Sequence, residues 1–140
     1  MTHVELADTS AWTWQRRDPS LADEFTERLR WGGIATCRAV VLELLWEARD
    51  LAEIQQLREG LESLRDFPIR RREWDRAADV MHALLERGPL HHRSVKLPDL
   101  LIAAAAESAE VPVLHYDRHF ERIAEVTGQP MRALAPLGSL

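Results

Sequence analysis

The sequence predicts an α/β fold with three layers, in which helices cover both faces of a short central parallel sheet. Short apolar stretches alternate along the chain with segments whose apolar residues recur at helical spacing. Parallel strands need crossover connections, and helices between successive strands supply them. The chain has 140 residues and no internal repeat or Gly/Ser-rich linker, so we expect residues 1–140 to form a single domain.

The N-terminal part of the chain predicts two strands separated by helices. Residues 4–7 form a short strand that ends at Asp8, a residue type that favours the start of a helix. Pro19 suits the first turn of a second helix, whose apolar residues recur at a spacing of four until Gly32. Residues 34–37 then predict the second strand.

The middle of the chain has a mainly helical pattern. A helix over residues 40–48 continues through residues 51–64. Residues 67–69 predict a short edge strand, because the proline within them cannot donate to a central ladder. We expect another helix over residues 74–87 and a polar loop over residues 90–97.

The C-terminal part returns to alternating helices and strands. Pro98 opens a predicted helix at Asp99, and the leucines and alanines that follow are too apolar for a surface helix. Residues 111–114 predict a buried strand, residues 120–127 a helix, and residues 131–134 a last strand.

Four acidic residues fall where this fold would bring them together. Asp8 and Asp117 follow predicted strands, Asp99 starts a helix, and Glu43 lies in an otherwise apolar helix. Open parallel sheets bind ligands beyond the carboxyl ends of their strands. Clustered carboxylates need a cation to neutralise them, and oxygen ligands suit Mg²⁺ or Mn²⁺. For each aspartate taken alone, a helix cap or a turn is the alternative interpretation.

The segments around these acids resemble the motifs of a known family. They read Asp-Thr-Ser at positions 8–10, Val-Val-Leu-Glu-Leu at 40–44, Pro-Asp-Leu-Leu-Ile-Ala-Ala at 98–104, and Val-Leu-His-Tyr-Asp-Arg-His-Phe at 113–120. Together they are similar to the PIN-domain ribonucleases, and within them to the VapC toxins of bacterial toxin–antitoxin pairs. The resemblance spans nearly the whole chain.

This resemblance implies a metal-dependent endoribonuclease. Asp8, Glu43, Asp99 and Asp117 would hold Mg²⁺ or Mn²⁺ directly or through water, and Ser10 would help to orient the site. A metal-activated water would hydrolyse RNA phosphodiester bonds. The family also implies a homodimer and a cognate VapB-like antitoxin, whose C-terminal segment fills the groove of the active site.

Two histidines depart from the family pattern. His115 stands where the family usually has threonine, and we expect its imidazole to donate to a carboxylate in place of the hydroxyl. A loop histidine bonded to backbone or solvent is the alternative. His119 stands where the family often has a second acid, so we expect fewer metal ligands there.

A basic segment and a tryptophan are candidate contact residues outside the acidic cluster. The net charge of −5 implies that any contact with RNA is local. His92, Arg93 and Lys96 are predicted to hold the phosphates beside the cut, with a solvated loop as the alternative. Trp46 is a candidate for a dimer or antitoxin surface, with a place in the core as the alternative.

Two other kinds of protein compete with the nuclease interpretation. A receiver-type signalling domain also binds Mg²⁺ at the edge of a parallel sheet, but it needs paired acids where this chain has Ala7 and Asp8. A PIN-like module that binds a partner without cutting RNA is the second alternative, and the departures at His115 and His119 favour it.

The sequence contains no signal that would carry the chain to a membrane or out of the cell. Its N-terminus lacks a basic stretch followed by an apolar one, and its longest apolar run, residues 100–106, is too short to span a bilayer. Cys37 is the only cysteine, so the chain forms no internal disulfide. We expect a cytoplasmic protein with no membrane partner.

Overall fold

The predicted α/β fold is confirmed. A computed structural model describes residues 3–140 and contains a sheet of five parallel strands in the order β3-β2-β1-β4-β5. The strands are β1 (Glu5–Ala7), β2 (Ile34–Thr36), β3 (Arg65–Asp66), β4 (Val113–His115) and β5 (Met131–Ala133). β1 therefore lies in the centre, with β2 and β4 as its neighbours.

Eight α-helices occur in the described part of the chain. They are α1 (Thr9–Trp14), α2 (Pro19–Trp31), α3 (Arg38–Trp46), α4 (Leu51–Glu62), α5 (Arg71–Arg87), α6 (Pro89–Arg93), α7 (Leu97–Ala109) and α8 (Arg118–Thr127). A single 3-10 turn, Gln15–Arg17, joins α1 to α2.

The sheet separates two hydrophobic cores, because successive side chains of a strand point to opposite faces. Strand residues of the larger core are Leu6, Ala35 and Val113, and those of the smaller core are Ala7, Ile34 and Leu114. Helices α3, α4, α5, α7 and α8 contribute to the larger core, whereas α1 and α2 cover the other face. Both faces of the sheet are thus buried, as a parallel sheet requires.

Side-chain caps account for where several helices begin. Asp8, Asp18, Asp50 and Asp117 precede α1, α2, α4 and α8, and each carboxylate accepts a backbone N–H from the first turn of its helix. α2 ends at Gly32, whose φ of 76° is the left-handed conformation that glycine adopts without strain.

Three local predictions were wrong. The helix expected to run on through residues 51–64 is separate from α3, because the Asp50 side chain caps a new helix by accepting the Glu53 N–H. The edge strand comprises Arg65–Asp66 rather than residues 67–69. Of the predicted strand, Phe67 makes one hydrogen bond to β2, which its N–H donates to the Thr36 carbonyl. The expected loop over residues 90–97 contains the short helix α6, which begins at Pro89.

Among residues 3–140, every helix is either too short or too polar to cross a bilayer.

Candidate active site

The topology of the sheet brings four chain segments to one edge. Asp8 directly follows the central strand β1, and Asp117 follows β4, which pairs with β1 in parallel. Asp99 lies in the first turn of α7, and Glu43 lies in α3 after the other neighbour of β1. The four predicted acids therefore come from elements that surround the carboxyl end of β1.

Asp8 is almost completely buried, with 3% of its surface exposed. One of its oxygens, Oδ2, accepts hydrogen bonds from the backbone N–H of Ser10 at 3.0 Å and from the Ser10 hydroxyl at 2.6 Å. Burial nevertheless raises the pKa of Asp8 to about 6, since the two bonds from Ser10 offset only part of the desolvation and the charges of Asp99 and Glu43 raise it further.

Ser10 links the two central strands at this edge. Its hydroxyl donates to Asp8 and also accepts the backbone N–H of Tyr116 at 2.9 Å. The same oxygen thus holds the residue after β1 against the loop that leaves β4. These contacts agree with the predicted role of Ser10 in orienting the site. Its effect on activity stays a prediction.

Glu43 faces the site from α3. The hydroxyl of Thr9 donates to its Oε1 at 3.0 Å, which fixes the side chain against the start of α1. Burial is the main cause that raises the pKa of Glu43, and the charge of Asp99 adds to it; Thr9 and Lys96 act in the opposite direction. Lys96 therefore places positive charge beside the cluster.

Asp99 lies deep in the site, with 6% of its surface exposed. Its Oδ2 is 3.4 Å from the backbone nitrogen of Lys96 and 2.9 Å from Nδ1 of His119. Burial raises the pKa of Asp99, although His119 lowers it. Asp117 is less buried, and its Oδ1 accepts the backbone N–H of His119 at 3.0 Å.

His119 is a residue that the sequence analysis did not propose as a metal ligand, although the structure brings it to two of the acids. Its Nδ1 lies 2.9 Å from an oxygen of Asp99 and 3.4 Å from an oxygen of Asp117. Donor atoms of these three residues all lie within 4.8 Å of one another, an arrangement that suits a metal ion. The signal was available, because the residue occupies the position at which the family often has an acid, and imidazole is itself a common metal ligand.

His115 makes a different contact from the one expected. Its Nδ1 accepts the backbone N–H of Asp117 at 3.2 Å, and its ring packs against Phe120 with 5.3 Å between the ring centroids. Within residues 3–140 it has no hydrogen bond to a carboxylate, so the predicted donor role was wrong. The bond to backbone agrees with the alternative, but His115 is the last residue of β4 and not a loop residue. Burial lowers the pKa of His115 to about 4, which keeps the ring neutral.

The predicted contact residues outside the acids lie on two surfaces. His92 and Arg93 belong to α6, and Lys96 is the residue before α7. Arg93 and Lys96 are exposed and His92 is half-buried. The alternative of a solvated loop was wrong for His92 and Arg93, since these residues are helical. Trp46 is 89% exposed at the end of α3, which excludes the core alternative.

Trp46 borders an apolar groove that opens beside the acidic cluster. The groove has a volume of about 720 Å³ and is lined mainly by apolar side chains, among them Leu42, Trp74 and Leu97. Leu42, Trp74 and Leu97 are each more than half exposed. Glu43 also lines the groove, so the groove is continuous with the acidic site.

A sequence model of the PIN domain matches residues 6–126 of this chain. The chain is also 39% identical over 137 residues to "Ribonuclease VapC18" of Mycobacterium tuberculosis, covering 98% of this chain and 99% of that protein. The chain belongs to the PIN-domain family, and within it to the VapC ribonucleases. "Ribonuclease VapC21" of the same organism is 36% identical over 143 residues, covering 99% of each chain. The resemblance stated from the sequence is thereby confirmed, and the receiver-type alternative is excluded.

Solved structures share the PIN fold at lower sequence identity. The toxin–antitoxin complex from Klebsiella pneumoniae superposes with a TM-score of 0.68 at 17% identity, covering 94% of this chain and 98% of that chain. VapBC2 from Rickettsia felis, bound to a DNA fragment from its promoter, also has a TM-score of 0.68, at 14% identity, covering 93% of this chain and 98% of that chain.

Proposed function

We propose that this VapC-family chain is a Mg²⁺- or Mn²⁺-dependent endoribonuclease, the toxin of a type II toxin–antitoxin pair. The observation that carries this proposal is the cluster of buried or half-buried acids at the carboxyl end of β1. The charge of Asp99 raises the pKa of both Asp8 and Glu43, and the charge of Asp117 raises the pKa of Asp99, so the four acids lie close to one another. Carboxylates held together in this way are stable as anions only when a cation joins them.

The donor set fits a divalent metal ion. Asp8, Glu43, Asp99 and Asp117 would hold the ion directly or through water, since Mg²⁺ is usually bound by few carboxylates and keeps several waters. The bound ion supplies a water activated for attack on a phosphodiester and neutralises the charge that develops on its oxygens. Ser10 keeps Asp8 oriented through the two hydrogen bonds that it donates.

Positive charge beside the acids would position the RNA. Lys96 is exposed and lies close enough to Glu43 for its charge to lower the pKa of that residue. Arg93 and His92, one helix earlier, extend this basic surface. Contacts with phosphates fix the position of a nucleic acid without reading its sequence. We therefore propose that these three residues hold the strand on either side of the cut.

The chain would act in the cytoplasm with two protein partners, a second copy of itself and a VapB-like antitoxin. The structural relatives include a toxin–antitoxin complex from Klebsiella pneumoniae, which supports an antitoxin here. The apolar groove at Trp46 and Leu42 supports a protein contact beside the site, because large exposed apolar patches mark interaction surfaces. Co-expression with the product of a neighbouring gene, followed by measurement of the mass of the complex, tests both partners.

The direct test of activity uses purified protein and total RNA. We expect cleavage with Mg²⁺ or Mn²⁺, none with a chelator, and a loss on the order of 100-fold or more in Asp8→Asn and Asp99→Asn. Asp23→Asn is the matched control, because Asp23 is exposed on α2 and has no part in the site. Cleavage that persists in Asp8→Asn or in chelator refutes the proposal. RNA binding without cleavage by the wild type would identify a module that binds and no longer cuts.

A further inference from the structure

His119 places a nitrogen atom where a metal ligand would be expected. Its Nδ1 is 2.9 Å from Asp99 Oδ2 and 3.4 Å from Asp117 Oδ1. Neighbouring ligands of an octahedral ion with bonds of about 2.1 Å are about 3 Å apart. His119 Nδ1 thus lies from each of the two carboxylate oxygens at about the spacing of neighbouring ligands, and all three donor atoms lie within 4.8 Å of one another. The side chain is 23% exposed, and its contacts with Asp99 and Asp117 show that Nδ1 faces the site.

The backbone holds this imidazole in place. Asp117 caps α8 by accepting the N–H of His119, which fixes the main chain from which the ring projects. Asp99 is fixed in turn by the first turn of α7. Both carboxylates that approach the ring are therefore anchored independently of it. Ligands held in this way need little rearrangement to bind an ion.

An imidazole ligand changes which ions the site prefers. Mg²⁺ takes oxygen ligands almost exclusively, whereas first-row transition ions also accept imidazole nitrogen, with an affinity that increases from Mn²⁺ onwards. A carboxylate at the same position would favour Mg²⁺ by adding an oxygen and a negative charge. The identity of residue 119 is therefore expected to set the balance between these ions.

We infer that His119 binds the catalytic metal through Nδ1 and gives this chain a preference for Mn²⁺ over Mg²⁺. The inference rests on the proposed function, since it concerns the ion at that same site. The competing arrangement is a His119 ring whose Nδ1–H donates a hydrogen bond to Asp99 and never touches the metal. The two arrangements differ in whether a bound ion has a nitrogen neighbour.

Pulsed electron paramagnetic resonance of Mn²⁺ bound to the full-length chain distinguishes them. We expect a nitrogen coupling in the wild type that changes its pattern when the protein is labelled with ¹⁵N-histidine. The coupling should disappear in His119→Asp and in His119→Gln and persist in His82→Gln, whose residue is exposed on α5. Calorimetric titrations should show that the ratio of Mn²⁺ to Mg²⁺ affinity falls about tenfold in His119→Asp.

Each other result overturns the inference. Mn²⁺ bound to the wild type without a nitrogen coupling, or a coupling that remains in both His119 variants, removes His119 from the ligand set and leaves the proposed nuclease intact. A wild type that binds neither ion overturns the inference and the metal-dependent function together. Because the labelling experiment uses unmutated protein, it gives an answer even where a variant folds poorly.

Discussion

Replacement of Asp8 by asparagine is expected to stabilise the metal-free protein at neutral pH while abolishing its activity. The reason is the cost of an ionised carboxylate in a buried site. The pKa of Asp8 rises from an ordinary 3.8 to about 6 on folding. Each pKa unit corresponds to about 1.4 kcal/mol, so ionised Asp8 lowers the free energy of unfolding by roughly 3 kcal/mol at pH 7.5. Asparagine removes this charge and keeps nearly the same shape.

The pH dependence of the effect has a definite sign. Between pH 6 and pH 4, folded wild type holds a proton on Asp8 that the unfolded chain has largely released. Wild-type stability therefore rises as the pH falls through this range. The advantage of Asp8→Asn should be largest above pH 6, shrink to a small fraction of that value near pH 4, and vanish below about pH 3, where both the folded and the unfolded wild type bind the proton.

Urea unfolding in chelator at several pH values measures the effect. We expect the midpoint of Asp8→Asn to lie about 1–2 M above wild type at pH 7.5 and to come within a few tenths of 1 M of it near pH 4. Addition of Mg²⁺ or Mn²⁺ should stabilise wild type and leave the variant nearly unchanged. Asp23→Asn, an exposed substitution, is the control. A midpoint for Asp8→Asn that is unchanged or lowered at pH 7.5, or a difference that does not vary with pH, would refute the reasoning.

Three further perturbations test other parts of the structure. Ser10→Ala should cost about 1–3 kcal/mol in chemical unfolding, because it leaves the N–H of Tyr116 without its partner, and should raise the pKa of Asp8 measured by carboxyl NMR. Glu5→Gln should cost about 2–4 kcal/mol at pH 7. Two arginines hold the pKa of Glu5 below its ordinary value, so the loss should fade as the pH falls below about 4.5. Trp46→Ser should weaken partner binding without lowering the melting temperature, since the ring is exposed; a lower melting temperature would assign it a structural role.

Sequence alone predicted the sheet and the convergence of the acids because both follow from local rules. One strand ends directly before Asp8, and another ends shortly before Asp117. Because the two strands are parallel, both carboxylates lie at the same edge of the sheet. The helix break before α4 was missed because the apolar pattern continues across it, and only the capping bond of Asp50 shows where the new helix starts. Periodicity reports which face of a helix is buried and says little about where a helix begins.

The contacts that the two histidine rings make could not be predicted from sequence position, although the family pattern marks position 119 as one that often carries an acid. His115 and His119 flank Asp117 at equal distance along the chain, yet one accepts a backbone N–H inside the core and the other faces two carboxylates. The difference arises because His115 is the last residue of β4 and His119 lies in the first turn of α8. Which way each ring points depends on Phe120 and Asp99, which no local pattern connects to them.

The order of the strands also affects when the site can exist during protein synthesis. β1, which is made first, has β4 as one neighbour, and β4 begins only at Val113. Asp99, Asp117 and His119 leave the ribosome long after Asp8 and Glu43. A nascent chain that has folded only its N-terminal half therefore carries two of the proposed metal ligands and lacks the others. A toxin synthesised in this order would stay inactive against its own mRNA and ribosome until translation is nearly finished.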